Sequence, residues 1–211
     1  MSRFKMCKEC KKEYDNPEDR RFHAQPIACD KCGPKVTLEK ISKFKDQIQP
    51  ELIWEQLDKI KNLFLNDKII AIQGIGGFHL ACNAKNHEII EKLRLLKNRY
   101  EKPFAVMGKD IEMIKRYCFV TQSENKLLIS SESPIVLLKK RNVDYLPKNI
   151  APGQKRLGFM LPYSPIHKLL FHEIDFPLLM TSANLSDEPQ CTSVEEVRER
   201  LNGIANYIFW H

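Results

Sequence analysis

The sequence predicts an α/β domain built on a mixed twisted sheet flanked by helices, preceded by a small four-cysteine zinc knuckle. Three observations carry this. Cysteines 7, 10, 29 and 32 form Cys-x2-Cys-x18-Cys-x2-Cys, in which two close-set pairs can approach one ion from two sides. From about residue 50 onward, stretches of helical period alternate with short apolar runs, without a strict βαβ rhythm. The 211 residues are 43% hydrophobic and 29% charged, an ordinary globular balance with enough chain for one or two domains. The expected division is a finger segment at 1–45 and the α/β domain at 46–211.

The knuckle comes first. Cys7, Cys10, Cys29 and Cys32 close a site of four thiolates with no open position, so structural zinc is expected there and no chemistry at the metal. Both pairs precede any long apolar segment, which removes the βαβ context of a redox dithiol. The loop between them is polar and holds two prolines, so it is expected to be ordered, with His23 in a loop-packing or surface role. The chain has seven cysteines, an odd number, and its N-terminus lacks a signal peptide's apolar core; both argue against a disulfide framework. Cys82, Cys118 and Cys191 are expected to be small buried hydrophobes. Net charge is +7, and residues 1–45 hold twelve Lys/Arg against seven Asp/Glu. Four thiolates around one zinc carry a negative excess that local lysines offset, which weakens the basic balance as a sign of nucleic acid. No apolar run approaches the ~20 residues of a spanning helix, and the cytoplasm is the expected compartment.

Residues 38–49 are lysine-rich and predicted to connect. In 51–67, Ile53, Leu57, Ile60 and Phe64 share one helical face. Residues 69–72 are a continuous apolar run, a buried strand. Three glycines, Gly74, Gly76 and Gly77, then form a corner before a second strand reaching Asn83, and residues 86–96 form an amphipathic helix. Pro103 disfavours helix at Lys102 and turns the chain into a strand at 104–107. Two short helices at 110–117 and 122–130 precede strands at 134–138 and 157–161. Ser164 caps a helix with Pro165 at its first position. A buried strand at 176–180 leads into Thr181-Ser182-Ala183-Asn184-Leu185-Ser186. Ser193 and Glu196 make a capping box, and a last strand at 207–210 lies so near the end that the chain is expected to belong to a longer protein.

Three stretches carry candidate chemistry. The hydroxyls and amide of 181–186 sit where a strand ends, the position at which open α/β sheets bind ligands; such residues also favour plain capped turns. The glycine corner allows close backbone approach, as an anion cradle or simply as a strand–turn–strand corner. Lys97, Arg99 and Lys102 place three cations just before a buried strand, either a phosphate clamp or a solvated face. There is no Walker loop and no carboxylate pair suited to acid/base work. An enzyme built this way acts by positioning and charge neutralisation.

Residues 7–34, from Cys7-x2-Cys10-x2-Glu13-Tyr-Asp through Pro17, Asp19-Arg-Arg-Phe-His-Ala-Gln-Pro26 and Ala28-Cys29-x2-Cys32-Gly-Pro34, closely resemble the second zinc finger of the HypF-type carbamoyltransferases, which mature nickel–iron hydrogenases. Residues 74–84, 97–107, 150–153, 161–163 and 180–186 are similar to that family's YrdC-like domain. The resemblance implies a larger protein with an acylphosphatase-like domain before this region and a carbamoyl-transfer domain after it. It implies that this domain joins carbamate to ATP, giving carbamoyl-adenylate and pyrophosphate, with the carbamoyl group passed on to a cysteine of the partner HypE. By motif, Lys97 and Arg99 resemble the family's phosphate clamp and catalytic pair. Lys102 matches the Lys-Pro that follows, and Ser182 and Asn184 match its Ser-x-Asn nucleotide contacts. Gly76, Gly77 and His79 would line the small-substrate end, and magnesium would accompany ATP. Asp187 stands where glycine is usual, Asn83 where aspartate is usual. Met160 replaces an arginine usual in the related threonylcarbamoyl-adenylate synthases, which argues against threonine chemistry. A nucleic-acid-binding module is the competing class, although aromatic residues are sparse around the cations.

Overall fold

The structure, a computed structural model, describes residues 5–29, 31–33, 35–41, 53–141, 146–185 and 188–211. Asp187 and Ser186 therefore lie outside the described residues, as do most of the lysine-rich stretch before residue 53 and the Phe4 and Pro34 of the finger region. The chain splits into two compact units, Met1–Val36 with His211, and Thr37–Trp210.

In the first unit, a helix α1 (Lys8–Asp15) starts at the first cysteine pair. Cys7 is its N-cap, its sulfur accepting from the Cys10 N–H at 3.5 Å. Sequence spacing alone did not announce this helix, because a cap of cysteine is outside the usual Ser/Thr/Asp/Asn set. The second pair sits on a tight turn in which the Cys32 and Gly33 N–H groups donate to the Cys29 carbonyl. A Cβ at Gly33 would lie 2.9 Å from that carbonyl, so the turn requires glycine. Arg21 ties the intervening loop by donating to Glu13 and to the Ala28 carbonyl. His23 stacks between Tyr14 and Phe22, the loop-packing role its position suggested.

The second unit is an eight-stranded mixed sheet: β1 (Thr37–Lys40), β2 (Ile70–Gln73), β3 (Phe78–Asn83), β4 (Ala105–Met107), β5 (Val136–Lys139), β6 (Arg156–Met160), β7 (Leu178–Ser182) and β8 (Tyr207–Trp210). Their spatial order is β1-β8-β2-β3-β7-β4-β6-β5. Only β2–β8 and β4–β6 pair in parallel. β1 runs into the stretch read as a connector, covering its first three residues. It survives on the sheet edge because it pairs with β8, the Gln56 side chain accepts from the Leu38 N–H, and Arg198 grips Glu39 through two bonds of 2.9 and 2.7 Å.

Alternation along each strand divides the sheet into two faces. Leu80, Cys82, Val106, Phe159 and Leu179 point into the main core, with α3 (His87–Leu96), α4 (Ile111–Tyr117), α5 (Gln122–Leu128) and α7 (Val194–Arg200) supplying Ile90, Leu93, Ile114, Leu128, Val197 and Leu201. The three scattered cysteines are all fully buried. The opposite face carries Ile70, Ile72, Ala81 and Met180, and α2 (Ile53–Leu65) packs against α6 (Pro165–Glu173) in the same unit. That face also bears His79 on β3 and Ser182 on β7, directly opposite each other in register.

Candidate functional site

The site begins with how α3 ends. Lys97 is the C-cap, and Asn98 follows with φ +49°, the left-handed conformation of a helix stop. The Asn98 N–H donates to Leu95 O and the Arg99 N–H to Arg94 O, the paired bonds of a Schellman motif, here with asparagine in place of glycine. This stop sends Lys97 inward and brings Arg99 round the corner. Position 97 also completes a stripe of 90, 93, 94 and 97 on the buried side of α3, so Lys97 and Arg94 occupy core positions, each only 2% exposed.

Lys97 reaches the end of β7. Its Nζ donates to Ser182 O at 2.7 Å, to Asn184 O at 2.6 Å and to Asn184 Oδ1 at 3.2 Å. The Ser182 hydroxyl donates to the same Oδ1 at 2.6 Å, and Asn184 Nδ2 donates to Glu188 O at 2.7 Å. β7 runs two residues further than the apolar run suggested, so Thr181 and Ser182 are its last residues rather than a turn. Burial, and then the nearby Arg99 charge, push Lys97 down to about 8. Three acceptors around one ammonium match its three donors, so Lys97 shapes the Ser-x-Asn wall as well as charging it.

Arg99 donates to Pro103 O at 2.6 Å and to Lys102 O at 3.3 Å, and its guanidinium lies over the Phe104 ring, 5.1 Å from the centroid. Lys97, Arg99, Lys102, Ser182 and Asn184 border one recess of about 590 Å³. The three cations and the Ser-x-Asn pair, 80 residues apart in the chain, are thus brought together. The glycine corner and His79 do not border that recess. His79 adjoins it through the cross-strand pair with Ser182.

Each glycine of the corner has its own reason. A Cβ at Gly74 would sit 2.9 Å from both the His79 ring and the Tyr163 hydroxyl. At Gly77, with φ +145°, it would sit 2.8 Å from the Cys191 carbonyl, which accepts from the Phe78 N–H. At Gly76 nothing lies within 4 Å. Gly77 therefore lets Cys191 pack against the start of β3, and of the three Gly76 alone faces open space. Asn83 sits at the far end of β3, four residues and roughly 13 Å from His79, where its side chain accepts from the Lys85 N–H. It is remote from the recess.

Two features carried no motif. Arg94 is the hub of the 97–103 loop: it donates to the carbonyls of Asn149, Arg99, Tyr100, Lys102 and Ile150 and stacks on Phe104. The visible signal was a cation on the apolar stripe of a helix. The second is His167, on the first turn of α6, fully buried among His79 and Tyr163. A histidine behind a Ser-Pro cap looks like a helix residue and nothing more.

In the finger unit, the four cysteine sulfurs all lie within 4.8 Å of one another, with separations of 3.7 Å (Cys7–Cys29), 3.9 Å (Cys29–Cys32) and 3.6 Å (Cys10–Cys32). A tetrahedron of ~2.3 Å Zn–S bonds has edges of ~3.8 Å, so the set fits zinc. Among the described residues no other group of three or more His, Cys, Asp or Glu side chains is placed to hold a metal. No helix of the described residues is long and apolar enough to cross a membrane.

Residues 62–211 match the Sua5/YciO/YrdC family, described as telomere recombination, and residues 6–39 match the HypF finger. Carbamoyltransferase HypF of Rhodobacter capsulatus is 41% identical over the whole chain, which spans 27% of that relative's length. Full-length HypF, solved in a phosphate- and nucleotide-bound form, superimposes with a TM-score of 0.83 at 48% identity, covering 100% of this chain and 27% of that one. Sua5 of P. abyssi complexed with L-threonine matches with a TM-score of 0.65 at 20% identity over 76% of this chain and 46% of that one, a likeness of fold alone.

Proposed function

Since the chain belongs to the Sua5/YciO/YrdC family, in the HypF-type branch that carries the HypF finger ahead of that domain, we propose that it binds ATP at the Lys97–Ser182–Asn184 recess and forms carbamoyl-adenylate from ATP and carbamate. The observation that carries this reading is the convergence of Lys97, Arg99, Lys102, Ser182 and Asn184 on one recess. A carbamate oxygen attacks the α-phosphorus; the new C–O–P link forms as the bond to pyrophosphate breaks, and the electron pair leaves on pyrophosphate. No protein nucleophile and no net proton transfer are needed.

The chain's residues supply position and charge. Lys97 and Arg99 offset the charge that gathers on the phosphates, and Lys102 extends the cationic rim. The Ser182 hydroxyl and Asn184 amide orient the nucleotide. Magnesium would bring further charge neutralisation and would ride chiefly on the phosphates; Glu101, which lines the recess, is a carboxylate available to it. Gly76, Gly77 and His79 stand on the small-substrate side. Zinc belongs to the finger, at Cys7, Cys10, Cys29 and Cys32, where it organises the fold. The finger segment and the α/β domain, expected as 1–45 and 46–211, are taken to meet ahead of β1, since the sheet already includes Thr37–Lys40. In the cytoplasm, further domains would make the carbamate and hand the carbamoyl group to HypE.

Pyrophosphate exchange into ATP, with carbamate freshly formed from bicarbonate and ammonia, tests the reading. Exchange dependent on both is the expected result; exchange only with threonine and bicarbonate would reassign the domain to threonylcarbamoyl-adenylate synthesis. A nucleic-acid reading rests on a separate groove of about 500 Å³ bordered by Lys139, Lys140, Arg141, Lys148 and Lys155. RNA binding with a steep salt slope and no response to ATP would favour it.

A further inference from the structure

His167 is fully buried, and neither ring nitrogen has a hydrogen-bond partner among the described residues. An imidazole in that condition is costly unless something it binds satisfies it. Its neighbours are the Tyr163 ring, 4.6 Å away edge-on, and the His79 ring, 6.2 Å away. The Tyr163 hydroxyl is itself loosely held, 3.4 Å from each His79 nitrogen. Gly74 keeps this space open, since a Cβ there would meet the His79 ring and the Tyr163 hydroxyl at 2.9 Å. His79 stands opposite Ser182 in register, so this cluster begins one cross-strand step, roughly 5 Å between Cβ atoms, from the proposed nucleotide wall.

The cluster is uncharged. Burial and the neighbouring His79 push His167 down to about 3, and burial lowers His79 as well. Each neutral imidazole offers one donor and one acceptor. Met160, 5% exposed, ends β6 just ahead of Tyr163. Such a site does not hold a carboxylate of its own. It suits the uncharged end of a small planar molecule whose charged end lies elsewhere.

We propose that His79, Tyr163 and His167 form the subsite for the amino end of carbamate, with the unpartnered His167 ring as the group that reads its N–H. Resting on the adenylation reading, this puts the charged oxygens of carbamate toward Ser182 and Lys97, where the α-phosphorus must be attacked. The amino end is directed into the histidine cluster. An N-substituted carbamate, such as one built on an amino acid, brings bulk and a second carboxylate against these packed rings. His167 thereby sets substrate choice as a specificity residue, separate from the phosphate cations.

The test uses the whole chain, labelled in its histidine rings and loaded with a non-hydrolysable ATP analogue. It is titrated with ammonium bicarbonate at mildly alkaline pH, with sodium bicarbonate and ammonium chloride as separate controls. The His167 ring signals, identified by their loss in His167→Gln, should shift with the mixture and with neither control. In parallel, His167→Phe should keep nucleotide affinity within about twofold while requiring about tenfold more ammonium bicarbonate for half-maximal pyrophosphate exchange, the scale of one lost hydrogen bond. His167→Gln should recover part of that loss, and Tyr163→Phe should show a smaller one. Unmoved His167 signals, or unchanged half-saturation in His167→Phe that still binds nucleotide, overturn the proposal. Shifted signals without exchange in the unaltered protein would uphold the subsite and defeat the adenylation reading.

Discussion

Lys97 Nζ lies 2.6 Å from the carbonyl oxygen of Asn184, 87 residues along the chain. With Ser182 O and Asn184 Oδ1 it completes three short bonds from one ammonium. The bond joins the stop of α3 to the end of β7, so the buried lysine of the recess is also the tie that shapes its opposite wall. A residue with both duties should show two separable effects on substitution.

Lys97→Met should therefore lower ATP affinity by about tenfold or more and reduce stability by about 1–3 kcal/mol, because buried carbonyls lose a charged donor. Calorimetric ATP titration and urea unfolding measure the two. A loss of stability with ATP affinity intact would reduce Lys97 to a structural tie. Arg99→Ala should lower affinity with little change in stability, since its bonds are to carbonyls of an outer loop.

The pH dependence of Lys97 has opposite signs in binding and folding. Lysine's ordinary value is 10.5, and burial brings Lys97 to about 8 in the folded chain. Between those values the unfolded chain holds a proton that the folded chain has released, so this group makes stability rise with pH. ATP affinity should fall across the same window, starting near pH 8, as the ammonium loses its charge. Both trends should vanish in Lys97→Met; parallel trends in wild type and variant would assign them to other groups.

Arg94→Met should cost about 3–5 kcal/mol, since several carbonyls lose a charged donor at about 1–3 kcal/mol for each one left buried and unsatisfied, and should expose the amides of 97–103 to hydrogen exchange. The five carbonyls gathered on its guanidinium have no replacement. An unaltered urea midpoint would show that the loop holds itself.

The glycine corner separates by position. Gly77→Ala forces a side chain onto φ +145° and against the Cys191 carbonyl, with an expected loss of about 1–3 kcal/mol. Gly76→Ala meets nothing within 4 Å and should leave thermal stability unchanged. Its effect, if the small-substrate side is there, should be on exchange kinetics alone.

Zinc removal should act locally. Structural zinc contributes on the order of 10–16 kcal/mol to small finger folds, and the finger unit buries little besides Cys10. A strong chelator should abolish exchange protection in α1 and the 29–33 turn while the thermal transition of the eight-stranded sheet persists. A single transition lost with the metal would mean that the two units fold together.

Much of this was legible from the chain. The four cysteine positions and the alternation of apolar runs are local signals, set by ligand spacing and by strand and helix periods, and they specified the zinc set, the α/β class and most elements. Lys97, Arg99, Ser182 and Asn184 were legible as residue types at strand and helix ends. Three things only the tertiary structure decided. β1 became a strand because β8 and Arg198 were there to hold it. Gly77 proved to serve the return of Cys191, a contact across more than 100 residues. Arg94 and His167 became functional candidates through burial, which depends on what packs around a side chain rather than on its neighbours in sequence. Periodicity is written in the chain, whereas the partner of a buried polar group is chosen by the fold.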